Sequence, residues 1–257
     1  MRMGGRLGQG LRQARGILRS LRIYYRGRER RRAMDRLHGR FVRPGDLVFD
    51  VGSHVGDRIA SFRRLGCRVV AVEPQPPLAR LLRLLYGRDR LVALEAVAVG
   101  AAPGRVTLRV NSANPTVSTA SADFIRAADG AAGWEGQTWD GEVEVALTTL
   151  DALIARHGVP AFVKIDVEGF EADALAGLSR PVAALSFEFT TIQRDVALAA
   201  LDRVAALGPY RFAAALGESQ QLVEGGWRDA AAMAAWIAGL PQRANSGDVY
   251  AALAPPE

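Results

Sequence analysis

From Pro44 onward, short blocks of consecutive apolar residues alternate with stretches whose apolar positions recur every three or four residues. The blocks lie at 47–51, 68–72, 91–99, 105–110, 143–147, 162–167, 182–189, 210–216 and 249–253. Closed by glycine or polar turns, they read as strands, and those buried on both faces belong to a parallel sheet. The intervening stretches at 56–65, 77–86, 150–157, 171–178 and 196–207 read as helices, each with one apolar face. Strand–helix alternation predicts an α/β architecture: a doubly wound, mostly parallel sheet with helices on both faces, closed by an antiparallel strand. The pattern breaks at 111–142, a polar, Ala/Gly-rich excursion longer than the usual connection of about 4–6 residues, as lids and binding loops often are.

Residues 1–40 stand apart from the domain at 41–257. Leu7, Leu11, Leu18, Leu21 and Tyr25 recur at helical spacing, interleaved with Arg6, Arg12, Arg15, Arg19, Arg22 and Arg26. The favoured expectation is a helix that packs its leucines on the domain and leaves its arginines in water. The other is a basic amphipathic helix that rests on an anionic membrane surface.

Charge sharpens this division. The arm holds 13 arginines against Glu29 and Asp35, whereas the remaining chain has 20 basic against 25 acidic residues, so the net charge of +6 belongs to the arm. A mildly acidic body argues against a nucleic-acid substrate, whose phosphates call for a basic binding face. One cysteine, Cys67, leaves no internal disulfide and no cysteine metal cluster. No apolar run reaches the roughly 18 residues of a spanning helix, and no signal-type segment is evident, so the expected location is cytoplasmic, peripheral to the inner face of a membrane if the arm binds there.

Candidate chemistry starts at FDVGSHVGD, residues 49–57, where the first strand runs into a glycine turn and then a helix. Open α/β sheets bind ligands at this carboxyl edge. Asp50, Gly52, Ser53, His54 and Gly56 form the loop; 21 residues after Gly52, Glu73 ends the second strand, where a carboxylate can accept from both hydroxyls of a ribose. A dinucleotide fingerprint would have a glycine where His54 stands, because the backbone must close on a pyrophosphate. A nucleoside without a pyrophosphate suits this loop better, and Asp50 suits an amino group.

Three stretches together resemble the FkbM family of methyltransferases: FDVGSHVGD at 49–57, VVAVEPQP at 69–76, and LTTLDALIARHGVPAFVKIDVEGFEADALAG at 147–177. The resemblance implies a class I methyltransferase fold, S-adenosylmethionine as donor, and O-methylation of sugars or other hydroxylated metabolites. It places the donor pattern on Asp50, Gly52, Gly56 and Glu73, and a second signature on Lys164, Asp166, Glu168, Gly169 and Glu171. The loop departs from the family where SHVG replaces its common Ala-Asn pair, so His54 inherits no role.

Methyl transfer to oxygen requires a base and a group that steadies the developing alkoxide. Asp166 is the first candidate for the base or acceptor contact and His54 the second, with Lys164 and Glu168 beside them as catalytic groups. Glu171, Glu188, Asn114, Ser118, Trp134 and Trp139 are candidate acceptor contacts, the tryptophans suiting the C–H faces of a sugar. For Glu168 and Glu171 the structural alternative is favourable placement in a helix's first turn. The carboxylates could also bind Mg²⁺ or Ca²⁺, but with no second ligand cluster at a recognisable spacing the expectation is no metal. The leading reading is an O-methyltransferase acting on a sugar, glycoconjugate or polyketide-like small molecule. The alternatives are an NAD-dependent oxidoreductase and a non-catalytic S-adenosylmethionine-binding scaffold.

Overall fold

A computed structural model describes residues 3–256, with side-chain surroundings from Gly10 onward, so the expectations for Arg6 and Leu7 lie outside the described side chains. Two helices lead the chain: α1 (Met3–Tyr25), over the segment whose helical spacing runs to Tyr25, and α2 (Arg28–His38), which that spacing did not mark. The break falls at Gly27, whose φ of 94° a side chain would strain.

The body then alternates as the hydrophobic pattern predicts. Strands β1 (Leu47–Val51), β2 (Arg68–Val72) and β3 (Val92–Glu95) are separated by α3 (Asp57–Arg64) and α4 (Pro76–Tyr86). Next come β4 (Ala98–Val99), β5 (Gly104–Val110), α5 (Ala122–Ala128), β6 (Gly141–Thr148), α6 (Leu150–His157), β7 (Phe162–Ile165) and α7 (Glu171–Ala176). The last are β8 (Ala184–Thr190), α8 (Arg194–Leu207), β9 (Arg211–Leu216), α9 (Ala230–Gly239) and β10 (Ser246–Ala252). Seven strands form one sheet in the order β3-β2-β1-β7-β8-β10-β9, and β10 is antiparallel to both neighbours.

Two departures matter. The expected third strand at 91–99 is two: β3 stays in the main sheet, while β4 leaves it to pair with β6, which also pairs antiparallel with β5. This second, three-stranded sheet forms one wall of the cleft described below. Helix α9 was not anticipated; its alanine-rich sequence shows no sided apolar pattern, yet it buries Met233 and Ile237.

Alternate residues of the strands feed two cores. Phe49, Val51, Val163, Ile165, Leu185 and Phe187 pack with α6, α7, α8 and α9. Val48, Val69, Ala71 and Phe162 pack on the other face with Leu37 of α2 and with Ile59 and Phe62 of α3. Both faces are dry, which is why these strands read as continuous apolar runs. Strand order reverses between β1 and β7, and their carboxyl ends open a crevice at that switch point.

Candidate active site

At the crevice, Gly52 has φ +86°, and a Cβ there would sit 1.8 Å from the carbonyl oxygen of Asp166. The β1 turn therefore passes directly against the end of β7, a contact only glycine permits. Gly52 and Ser53 donate their N–H groups to the Val72 carbonyl, tying the turn to β2 as well. Gly56, also left-handed, leaves room for the Tyr86 and Leu82 side chains. His54 sits between them at φ 48°, an uncommon conformation for a residue with a side chain.

A cleft enclosing about 940 Å³, its open mouth included, follows from this turn. One wall, from the carboxyl ends of β1 and β2, holds Asp50, Gly52, Ser53, His54, Glu73 and Gln75. Glu73 accepts from the backbone N–H of His54 and of Gln75, both at 2.8 Å, so its carboxylate is held at the end of β2. Burial pushes its pKa up to about 8, against the pull of the two N–H groups. Asp50 is buried with one oxygen lacking any partner, and burial raises it to about 6. A buried carboxylate oxygen without a donor fits a cationic or hydrogen-bonding ligand group, as the ammonium of a methionine moiety would supply. The residues thus fit S-adenosylmethionine: Glu73 for the ribose and Asp50 for the ammonium.

The opposite wall rises from β7, β8 and the turn after β7. Lys164, 2% exposed, donates to Asp248 at 2.7 Å and to Asp166 at 3.2 Å. Burial alone would lower the ammonium's pKa, but the two carboxylates hold it above its ordinary value. Burial alone would likewise raise Asp166, which Lys164 and Arg58 keep below the usual carboxylate range. Glu168 and Glu188 line the cleft nearby and are raised by burial and by neighbouring carboxylates. His54 faces the same space, its Nε2 3.4 Å from the Thr116 hydroxyl, and burial lowers its pKa to about 4, so the ring is neutral near pH 7.

Several acceptor candidates lie elsewhere. Glu171 accepts from the N–H groups of Val167 and Gly169, both at 3.0 Å, and is not among the lining residues; it holds the 166–169 turn. Trp134 packs edge-on against Phe124, and the Trp139 indole donates to the Val117 carbonyl, so both anchor the excursion rather than line the cleft. Asn114 donates to Gln137, also away from the cleft wall. Ser118 does line it, with Thr116 and Ala120, so the excursion contributes through its polypeptide near 116–120 and not through its tryptophans.

Sequence reasoning missed Tyr24, Arg58, Gln75, Glu218 and Asp248. Gln75 stands two residues after Glu73 and could have been found from that spacing; Asp248 reaches Lys164 across 84 residues and carries no local signal. Tyr24, from the arm, lines the cleft edge-on to the His54 ring at 5.4 Å. Arg30 and Arg58 stand over its ring and converge on Glu218, which they hold down to about 2 against the effect of burial.

Residues 50–207 match the Methyltransferase FkbM domain. The chain belongs to the FkbM methyltransferase family. The donor of that family is S-adenosylmethionine, in agreement with the Asp50 and Glu73 arrangement, and the dehydrogenase alternative gives way to it. The chain is 30% identical over 162 residues to the 31-O-demethyl-FK506 methyltransferase FkbM of Streptomyces tacrolimicus, covering 55% of this chain and 62% of that protein. Among solved structures, it is similar to the O-methyltransferase from Bacillus cereus in complex with SAH, at 12% identity and TM-score 0.46, covering 93% of this chain and 90% of that one. A TehB-like SAM-dependent methyltransferase from Corynebacterium glutamicum gives 11% identity and TM-score 0.45, covering 86% of each chain. The strand order itself, with its antiparallel β10 between β8 and β9, is that of the class I methyltransferase fold.

Proposed function

We propose that this FkbM-family protein transfers the methyl group of S-adenosylmethionine to a hydroxyl of a sugar, glycoconjugate or polyketide-like small molecule. The observation that carries the reading is a single cleft with a donor half, Asp50 and Glu73, facing a second half of carboxylates and one lysine. The donor supplies an electrophilic methyl on a sulfonium. The chain supplies the rest: it excludes water with Tyr24, Val97 and Leu108, orients the acceptor, and takes the hydroxyl proton. Asp166 is the proposed base, because its carboxylate opens onto the cleft while Lys164 fixes it from behind. The Lys164–Asp248 contact keeps the ammonium in place and leaves His54 as the other group able to accept a proton. The Streptomyces tacrolimicus relative acts on the O-demethyl form of a polyketide, which supports a hydroxyl acceptor.

The test is calorimetric titration with S-adenosylhomocysteine beside NAD, on the wild type and Glu73→Ala, followed by a methyl-transfer screen over hydroxylated sugars and polyketides. Saturable S-adenosylhomocysteine binding lost in the variant, no NAD binding, and labelled product from a hydroxyl acceptor are expected. Binding without turnover in Asp166-intact protein across that screen would favour the scaffold reading; no binding would sink both.

A further inference from the structure

Three carboxylates, from Asp166, Glu168 and Glu188, each offer an oxygen, and these oxygens all lie within 4.8 Å of one another. Their surroundings differ from those of the other acids nearby. Glu171 has both oxygens taken by backbone N–H groups, and Lys164 is shared between Asp166 and Asp248. Glu168 is only 8% exposed, yet among the described residues no N–H, O–H or cation bonds to its carboxylate. Glu188 likewise has a buried oxygen with no partner. A buried carboxylate without a donor is costly, and two side by side repel one another. The cost is retained by a stiff support: Glu168 is held at φ 54°, the Thr119 hydroxyl donates to its carbonyl at 2.6 Å, and a Cβ on Gly169 would meet Gln193 and Phe124.

We propose that Asp166, Glu168 and Glu188 bind a hard divalent cation, Mg²⁺ or Mn²⁺, whose remaining positions take water and the acceptor hydroxyl. Oxygen-only ligands and a charge of two match such an ion, and three protein ligands leave open positions for exchangeable ones. Held there, a hydroxyl is more acidic: its proton passes to the His54 ring in the same cleft, its oxygen's electron pair forms the new C–O bond, and the S–CH₃ bond breaks with its pair staying on sulfur, releasing S-adenosylhomocysteine. With the cation bound, Asp166 serves as ligand and His54 as base. The cation's role, though not its binding, rests on the methyltransferase reading. The proposal departs from the sequence-based expectation that the carboxylates carry no metal.

Full-length protein stripped with chelator and titrated with MnCl₂, with free Mn²⁺ followed by electron paramagnetic resonance, tests the site. One saturable site is expected, and Glu168→Gln and Glu188→Gln should each weaken it by at least about tenfold. Both variants should keep wild-type affinity for S-adenosylhomocysteine, which shows that they are folded. Absence of saturable Mn²⁺ binding up to about 10 mM, beyond the weakest biological sites of this ligand type, overturns the proposal. Binding that Glu188→Gln leaves unchanged overturns it too. Wild-type protein that binds Mn²⁺ but not S-adenosylhomocysteine would instead leave the cation site standing and remove the methyltransferase reading.

Discussion

Two residues at the end of β1 show how burial and backbone geometry set ligand chemistry. Asp50 is raised to about 6 by burial, and its unpartnered oxygen is proposed to receive the donor's ammonium, which needs the ionised form. Affinity for S-adenosylhomocysteine should therefore rise as pH increases from about 5 to about 7, with proton release on binding in calorimetry at the lower values. Asp50→Asn should remove both effects; a pH-independent affinity in the wild type would show that Asp50 does not meet the ligand. Gly52 gives a second, independent expectation. Alanine there would place its Cβ against the Asp166 carbonyl in a left-handed conformation, costing about 1–3 kcal/mol or more in stability and displacing the turn from the donor. Urea unfolding reads the first effect, and S-adenosylhomocysteine titration the second. Gly52, Glu73 and Asp166 were all legible from spacing and motif. The contact between Gly52 and Asp166, 114 residues apart, was not.

Among the elements, α1 differs most from expectation. Gly16, Ile17, Ser20, Leu21 and Tyr24 form the face that turns toward the body, with Gly16 against Pro115 and the carbonyls of Ser112 and Ala113. Leu11, Leu18 and Ile23 are more than half exposed, beside Arg15, Arg19 and Arg22. The leucine-packing expectation therefore fails for Leu11 and Leu18, because small residues allow closer approach to the body than leucines do. An exposed apolar and basic face complements an anionic bilayer, the surface we expect it to dock on. No helix among the described residues is long and apolar enough to cross a membrane. Co-sedimentation with phosphatidylserine vesicles is expected, lost in an Arg15→Glu, Arg22→Glu variant and in high salt; equal sedimentation of the variant would end the idea. Helices α2 and α3 make a separate prediction. His38 is buried between them, bonded to Ser61 and stacked on Phe62, and burial lowers its pKa to about 3. The folded value lies below the unfolded one of about 6.5, so stability present above pH 6.5 is lost as pH falls toward 3, by about 2 kcal/mol at pH 5. His38→Gln should flatten that part of a melting-temperature profile, and an unchanged slope would exclude this cause.

At the scale of the molecule, Lys164 joins the two halves of the sheet. Its strand, β7, lies beside β1, yet its ammonium bonds Asp248 on β10, beyond β8. Lys164→Met leaves Asp166 and Asp248 without their shared cation and should cost about 3–5 kcal/mol in denaturant unfolding. Adding Asp248→Leu should recover part of that loss, since a buried charge without a partner is the main penalty. Failure of the second substitution to recover any stability would mean that the lysine's packing, not its charge, matters.

Alone, the sequence determined the alternation of strands and helices, the glycine turn after β1, the carboxylate at the end of β2 and the KIDVEG turn, because parallel strands buried on both faces and glycine turns leave local signatures. It also separated the basic arm from an acidic body. Tertiary structure decided the rest. Only packing could make β4 leave the main sheet, turn Trp134 and Trp139 away from the cleft, occupy Glu171 with backbone N–H groups, and bring Tyr24 over the donor loop. A residue type and its neighbours in sequence announce what a side chain can do. Whether its polar atoms are already spent on the protein, or remain free for a ligand, is settled by groups tens of residues away.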